Sequence, residues 1–308
     1  DDMPFLVDSV TAELNRQNLR VHLVIHPILK VRRNKTGKLL DILKGGQRAD
    51  DSVTESFMHL QVTPLSGRRL KGVETGIRKV LGDVRVAVKD WRPIREKLAS
   101  LIAELETTPT GVHPEEAEEI RAFLRWIHAN RFTLLGYREY RYKGRGKKTT
   151  VAVDKKSGLG ILRDPNFIVF KEFRELKTAS RDVREFIESP DLLLVTKTNR
   201  KSTIHRPVHM DAIGIKRLDA KGRGIGQRLF VGLFTSVAYS RSLRDIPMLR
   251  RRLEKTLERA RFPSGGHDSK ALMHILETFP RDELFQISDD CLFETSLGIL
   301  HLQDRQRV

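Results

Sequence analysis

Three sets of residues in this 308-residue chain bring together side chains that could do chemistry. The first lies in Ser-Thr-Ile-His-Arg-Pro-Val-His-Met-Asp at 202–211, where His205, His209 and Asp211 offer two imidazoles and a carboxylate to a metal ion. Pro207 stands between the histidines and forbids the helix that would bring an i, i+4 pair together, and on a strand they would lie about 13 Å apart. Both therefore read as surface or packing histidines. The second set, Gly222-x-Gly224-x-Gly226, has the composition of a nucleotide-binding loop, but a phosphate cradle needs a helix to follow and here a strand follows. It reads as a hairpin turn. The third set, Asp1, Asp2 and Asp8, flanks the start of a helix with Pro4 in its first turn, where free backbone amides could hold an anion or a carboxylate. The competing reading is that these aspartates only cap the helix. The sequence has no Gly-Lys-Ser/Thr loop and no Gly-x-Ser-x-Gly elbow.

The elements that must position these residues follow from periodicity. Leu6, Val10 and Leu14 recur at helical spacing, and Asn18 suits the end of that helix. Strands are expected at 21–25 and 28–33 with Pro27 at a bend between them, a turn at 34–37, and a short returning strand at 38–43. A loop at 45–52 precedes an alternating strand at 56–65. A long apolar stripe, Leu70, Val73, Ile77, Leu81, Val84 and Val88, continues through Trp91, Ile94, Leu98, Ile102 and Leu105, and Pro93 should bend or divide this helix. The best linker is 107–113. Pro114 then opens a helix whose first turn carries Glu115, Glu116, Glu118 and Glu119, negative charge at a positive dipole end. Strands are expected at 132–142, 149–154, 158–162, 192–198, 202–209, 214–219 and 229–239, joined by polar, glycine-bearing turns and interrupted by a helix at 178–188. After Ser240 the period becomes helical through Ile246, Leu249, Leu253 and Leu257. Asp268 should cap a following helix that Pro280 ends. A last helix over 283–303 should bury Leu284, Ile287, Cys291, Ile299 and Leu302 against a partner, so self-association is expected.

Net charge is +17, which raises a second class of function, a basic module for nucleic acid or another anionic partner. The distribution argues against nucleic acid: the cations are spread over helices and turns, and an aromatic content of 6% offers no stacking platform. The bland alternative is that these basic faces meet acidic neighbours. Cys291, the one cysteine, cannot pair internally, reads as a buried structural thiol, and fits a reducing cytoplasm. No apolar run reaches the ~20 residues of a membrane span, and no membrane partner is expected.

Five stretches in order carry a family resemblance: Asp-Asp-Met-Pro-Phe-Leu-Val-Asp-Ser-Val at 1–10, Phe-Thr-Leu-Leu-Gly-Tyr-Arg-Glu-Tyr at 132–140, the 202–211 stretch above, the joint at 229–252, and Gly-Gly-His-Asp-Ser-Lys-Ala-Leu-Met-His-Ile-Leu-Glu-Thr-Phe-Pro-Arg-Asp-Glu-Leu-Phe-Gln-Ile at 265–287. With these the chain resembles the large bacterial NAD-specific glutamate dehydrogenases, and the resemblance places it in their N-terminal, non-catalytic part. The fold this implies is α+β: an ACT-like, ferredoxin-like sandwich lacking its first strand over 1–106, an antiparallel PAS-like sheet domain over 114–240, and a helical motif over 241–308. The whole enzyme would use NAD, while this segment would hold no cofactor, no metal and no catalytic residue. The implied partners are the catalytic remainder of the same polypeptide, further copies in a homo-oligomer, and a small amino-acid effector. In ACT domains such effectors bind at the turn into the first helix, which implies Asp1, Asp2, Pro4, Phe5 and Asp8 here.

Overall fold

A computed structural model gives the fold of the chain and describes residues 1–44, 50–107, 111–143, 150–167, 169, 187, 189, 191–219, 221–263 and 265–305. Contacts divide the chain into two units, Asp1–Lys89 with Lys201–Val208, and Asp90–Arg200 with His209–Val308. The helix expected at 178–188 lies, but for residue 187, outside the described residues.

In the first unit, helix α1 (Leu6–Arg16) buries Leu6, Val10 and Leu14 along one line, as the spacing requires, and Asn18 beyond it takes the left-handed conformation (φ 58°). Strands β1 (Val21–Ile25), β2 (Ile28–Arg33), β3 (Leu39–Ile42), β4 (Ser52–Ser56) and β5 (His59–Val62) follow. The expected strand at 56–65 is the shorter β5, and β4 at 52–56 is a strand that the sequence pattern did not predict. Pairing explains the break. Both β1 with β5 and β2 with β4 are antiparallel, so 21–33 and 52–62 form one ribbon interrupted on both sides, at Pro27 and at Phe57, where Phe57 N–H donates to Pro27 O (3.1 Å). Proline has no N–H to return a bond, so the ladder stops there. β3 flanks β2 on the other edge. Val10, Leu14, Leu19 and Val73 form the core of this unit, with Val21, Leu60, Val62 and Ile77 packed around them.

Helix α2 (Gly67–Thr107) gives its residues up to Lys89 to the first unit and the rest to the second. Pro93 lies inside it and does not divide it. A proline in a helix costs about 3 kcal/mol, whereas Ile94, Leu98, Leu101 and Leu105 beyond it are all buried, each contributing about 1.5–3 kcal/mol. Burial wins.

In the second unit, α3 (Pro114–Trp126) begins with Pro114 in its first turn and buries Ala117, Ile120, Phe123 and Leu124. Strands β6 (Phe132–Lys143), β7 (Thr150–Val153), β8 (Leu159–Gly160), β9 (Leu193–Lys201), β10 (His209–Leu218) and β11 (Gly224–Phe234) form an antiparallel sheet ordered β7-β6-β11-β10-β9, with β8 also on β6. The core joins Ile94, Leu98 and Leu101 of α2 and Ile120, Phe123 and Leu124 of α3 to Leu134, Tyr137, Ile213, Ile215, Phe230 and Phe234 of the sheet.

Two expected strands are corrected. Residues 202–208 are a loop. The strand expected to run to Tyr239 ends at Phe234, where Thr235 N–H donates to Arg131 O (3.0 Å) and a short helix α4 (Ser236–Ser240) begins. The helical part continues with α5 (Leu249–Ala260), α6 (His267–Thr278), α7 (Arg281–Gln286) and α8 (Asp289–Arg305). Asp268 lies in the first turn of α6 but makes no cap bond; Gly266 holds the cap position. The expected last helix is also two, because Ser288 interrupts it and its Oγ accepts from Cys291 N–H (3.2 Å). The break resets the helical phase, so α8 buries Leu292, Ser296 and Leu300, while Cys291 is exposed and not the buried thiol expected, and Leu302 is 61% exposed. Together these are a mixed fold of helices and antiparallel sheets. Among the described residues no helix is long and apolar enough to cross a membrane.

Candidate functional site

The N-terminal turn is built from Phe5, which takes the left-handed conformation (φ 72°) at the cap of α1 and directs the chain into the helix. Its carbonyl accepts the first intrahelical bond from Ser9 N–H (3.1 Å) and a second from Ser9 Oγ (2.5 Å). The N–H groups of Leu6, Val7 and Asp8 precede that first bond and point out of the helix start. Phe5 holds the cap position, and among the described residues no side-chain cap bond is made at this end. Asp1 is exposed at the chain start, Asp2 is exposed with its N–H on Thr54 O of β4 (3.0 Å), and Pro4 is exposed in the turn before the helix. Pro4 therefore precedes the helix and is not its first residue.

Asp8, half-exposed in the first turn, is engaged by a residue from the other end of the unit's sequence. His205 Nδ1 lies 2.9 Å from Asp8 Oδ2, a bond that requires the proton on Nδ1. His205 N–H donates to Ser9 Oγ (3.0 Å), and the His205 and Phe5 rings meet with centroids 5.3 Å apart. The loop 202–208 that carries His205 is closed by Ser202 N–H on Val208 O (2.8 Å), buries Ile204, and is fixed to α2 by Thr203 Oγ1 donating to Asp83 Oδ2 (2.8 Å). A carboxylate beside free helix amides, met by an imidazole, is a place where cationic and anionic groups of a small zwitterion could both be recognised.

The three residues weighed for a metal serve three separate contacts. His205 meets Asp8, His209 Nδ1 lies 2.9 Å from Thr198 O, and Asp211 meets Lys197. Asp211, 3% exposed on β10, lies 2.7 Å from Lys197 Nζ of β9, which also lies 2.8 Å from Asp282 Oδ2 of α7. Burial pushes the Asp211 carboxyl above the usual carboxylate range, with Lys197 pulling the other way. The Lys197 ammonium, desolvated too, is held above the usual lysine value by its bonds to the two carboxylates. Gln286 Oε1 accepts from Lys197 N–H (3.2 Å), so β9 is tied twice to α7. Gly222 and Gly224 form the β10–β11 hairpin, with Gly222 at φ 73° and its N–H on Asp219 O (2.9 Å).

Sequence reasoning missed His205, Ser9 and Thr203 as members of the first site. Pro207 and the hydroxyls at 202 and 203 are loop signals, but nothing in the spacing says where the loop docks.

Comparison with known proteins bears on both units. The family model described as glutamate dehydrogenase, ACT1 domain, matches residues 1–77, which contain the N-terminal turn, and the one described as glutamate dehydrogenase, helical motif 1, matches residues 246–305. Relatives match from end to end. The similarity is to NAD-specific glutamate dehydrogenases. Those of Pseudomonas aeruginosa and Halomonas elongata are each 36% identical over all of this chain, and that of Mycobacterium tuberculosis is 27% identical over 98% of it. The chain spans 19%, 19% and 18% of the length of these three glutamate dehydrogenases.

Proposed function

We propose that the chain is the N-terminal, non-catalytic regulatory and assembly part of a cytoplasmic NAD-dependent glutamate dehydrogenase. The whole enzyme converts L-glutamate, NAD and water to 2-oxoglutarate, ammonia and NADH, and its catalytic remainder is the first partner of this segment; further copies in a homo-oligomer are the second. The single observation that carries this reading is the end-to-end match to relatives of that name, of which the chain is about a fifth. Its division into an ACT-like domain over 1–106, a PAS-like domain over 114–240 and a helical motif over 241–308 is part of the proposal, and the six-stranded antiparallel sheet of the second unit supports the middle assignment.

Within this reading the turn of Asp1, Asp2, Pro4, Phe5 and Asp8 takes a small amino acid. The amides of Leu6, Val7 and Asp8 meet its carboxylate, and Asp2 or Asp8 meets its amino group. His205 then holds the position on Asp8 that the amino group would take. The test compares the purified 308-residue chain with the full-length polypeptide in an assay of glutamate-dependent NAD reduction. Turnover by the long form alone, sensitive to amino acids, supports the reading. Turnover by the short chain, abolished by a substitution within it, overturns it.

A further inference from the structure

The solvent face of α2 in the first unit carries cations in a regular row. Lys71, Arg78 and Arg85 are separated by seven residues each, Lys89 continues the row one turn on, and all four are exposed. On a helix these positions fall on one face, about 10.5 Å apart along the axis for each seven-residue step. The opposite side of the same helix holds Val73, Val80, Val84 and Ala87, all buried. Beside the row runs a second line of small residues at the same interval, Thr75 and Gly82. A Cβ on Gly82 would meet nothing within 4 Å, so packing within the chain does not ask for glycine there. Arg78 pairs with Glu74 of its own helix, but among the described residues Lys71, Arg85 and Lys89 have no acidic partner within ion-pair distance, and Arg85 and Lys89 repel as an i, i+4 pair.

This contrasts with other faces of the molecule. Arg33 is matched by Glu55, Arg125 by Glu106 and Glu118, and Arg228 by Glu104. A row of like charges on a seven-residue repeat, beside small residues that let a backbone come close, fits a second helix lying alongside with carboxylates at matching heptad positions. Duplex phosphates follow every ~3.4 Å of axis on each strand, about three times as densely as these cations, and the row contains no aromatic side chain on which bases could stack.

We propose that the outer face of α2 between Lys71 and Lys89 docks an acidic amphipathic helix from the remainder of the same polypeptide. The proposal rests on the reading of this chain as one part of a longer enzyme, since some four-fifths of the relatives' length lies outside the matched region. The occupant supplies Asp or Glu side chains to Lys71, Arg78, Arg85 and Lys89, and its backbone approaches over Thr75 and Gly82.

The experiment is zero-length carbodiimide cross-linking of the purified full-length polypeptide, with peptides read by mass spectrometry. Lys71 and Lys89 are expected to link to Asp or Glu residues outside residues 1–308. Arg85→Glu should lower that yield on the order of tenfold, because a like charge then faces the partner's carboxylates. Gly82→Leu, whose Cβ meets nothing within 4 Å, should lower it too without lowering the thermal stability of the 308-residue chain. Links only to Glu74 or Asp83 of the same helix overturn the proposal. So does a gain in acetylation of Lys71 and Lys89 on nuclease treatment, which would assign the row to nucleic acid. A native polypeptide that proves to be no longer than this chain would overturn the functional reading instead, and gel mobility separates the two failures.

Discussion

Asp8 and His205 meet at 2.9 Å across 197 residues of sequence, and this contact makes a loop between two strands of the second sheet a working part of the first helix's N-terminus. The chain leaves β9 at Lys201, passes through 202–208 within the first unit, and enters β10 at His209. Anything that alters the start of α1 therefore acts on residues covalently joined to both strands. Those strands carry Lys197 and Asp211, which reach Asp282 on α7.

His205→Ala should loosen the loop locally without threatening the fold. The pair is exposed (36% and 55%), and such pairs contribute about 0–1 kcal/mol, so global stability should fall by no more than that. Hydrogen exchange at 202–208 and in the first turn of α1 should accelerate in both His205→Ala and Asp8→Asn. Unchanged exchange in both variants would mean that Thr203, Asp83 and buried Ile204 alone hold the loop.

Lys197→Met should be among the costliest single substitutions. It strands Asp211 at 3% exposure without its cation, a loss of about 3–5 kcal/mol. The double variant Lys197→Met/Asp211→Asn should regain part of that loss, since no charge is then stranded at the buried position. The single variant's cost should also shrink as pH falls, because the Asp211 carboxyl already titrates above its usual range and protonation removes the stranded charge. Denaturant titrations at pH 8 and pH 5 measure all three; a single-variant cost below that of a surface pair would show that the triad holds nothing.

The elements of both units were largely legible because their apolar residues repeat: α1, the two halves of α2, α3 and the long strands all follow from spacing. The misreadings share a cause. At Phe57, at 202–208 and at Ser288, a tertiary pairing or a cap interrupts a pattern that continues in the sequence, and local periodicity cannot register a partner elsewhere in the chain. Pro93 does not divide α2, because the helix rule is outweighed by the buried residues beyond it. The contact between Asp8 and His205 was legible by half. Asp2, Pro4, Phe5 and Asp8 stood out as a helix entry, whereas His205 was read as a strand residue because Ile204 and Val208 alternate with polar neighbours.

Lys216 on β10 gives a stability signature in mild alkali. It is 5% exposed, its Nζ donates to Ser189 O, and burial pulls its ammonium down to about 8 from the ordinary 10.5. Between those values the unfolded chain binds the proton that the folded chain has released, so stability rises with pH through this window, by about 3 kcal/mol at 1.36 kcal/mol per unit. Lys216→Met should flatten that rise. Unfolding free energies at pH 7.5 and 9.5 that increase equally in the variant would assign the effect elsewhere.

Gly76 and Gly82 lie on the same helix and should respond in opposite ways to alanine. At Gly82 the added methyl meets nothing, so Gly82→Ala should stabilise the chain by about 0.5–1 kcal/mol. At Gly76 the methyl would lie 2.1 Å from Glu13 Oε1 and 2.5 Å from Gln17 Nε2. Glu13 is 5% exposed and bonded to Arg16 and Gln17, so it cannot swing away without breaking those bonds. Gly76→Ala should therefore destabilise. Equal melting shifts for the two variants would show that the α1–α2 contact yields freely.

The last prediction separates a regulatory turn from a structural one. If an amino acid's ammonium group replaces His205 on Asp8, His205→Ala in the full-length enzyme removes a competitor and should tighten effector binding. The bond removed is worth at most about 1 kcal/mol, so the gain in apparent affinity should be about fivefold or less, the fraction by which the competent state was depleted. Asp8→Ala and Asp2→Ala should do the reverse, weakening or abolishing the response while the rate without effector stays near its original value, because the proposed function places neither residue in the catalytic machinery. Titrating a panel of small amino acids against the initial rate of NAD reduction gives both quantities for each variant. An identical response in the His205 variant, or equal loss of rate with and without every amino acid in the Asp8 variant, would show that this contact only holds the fold.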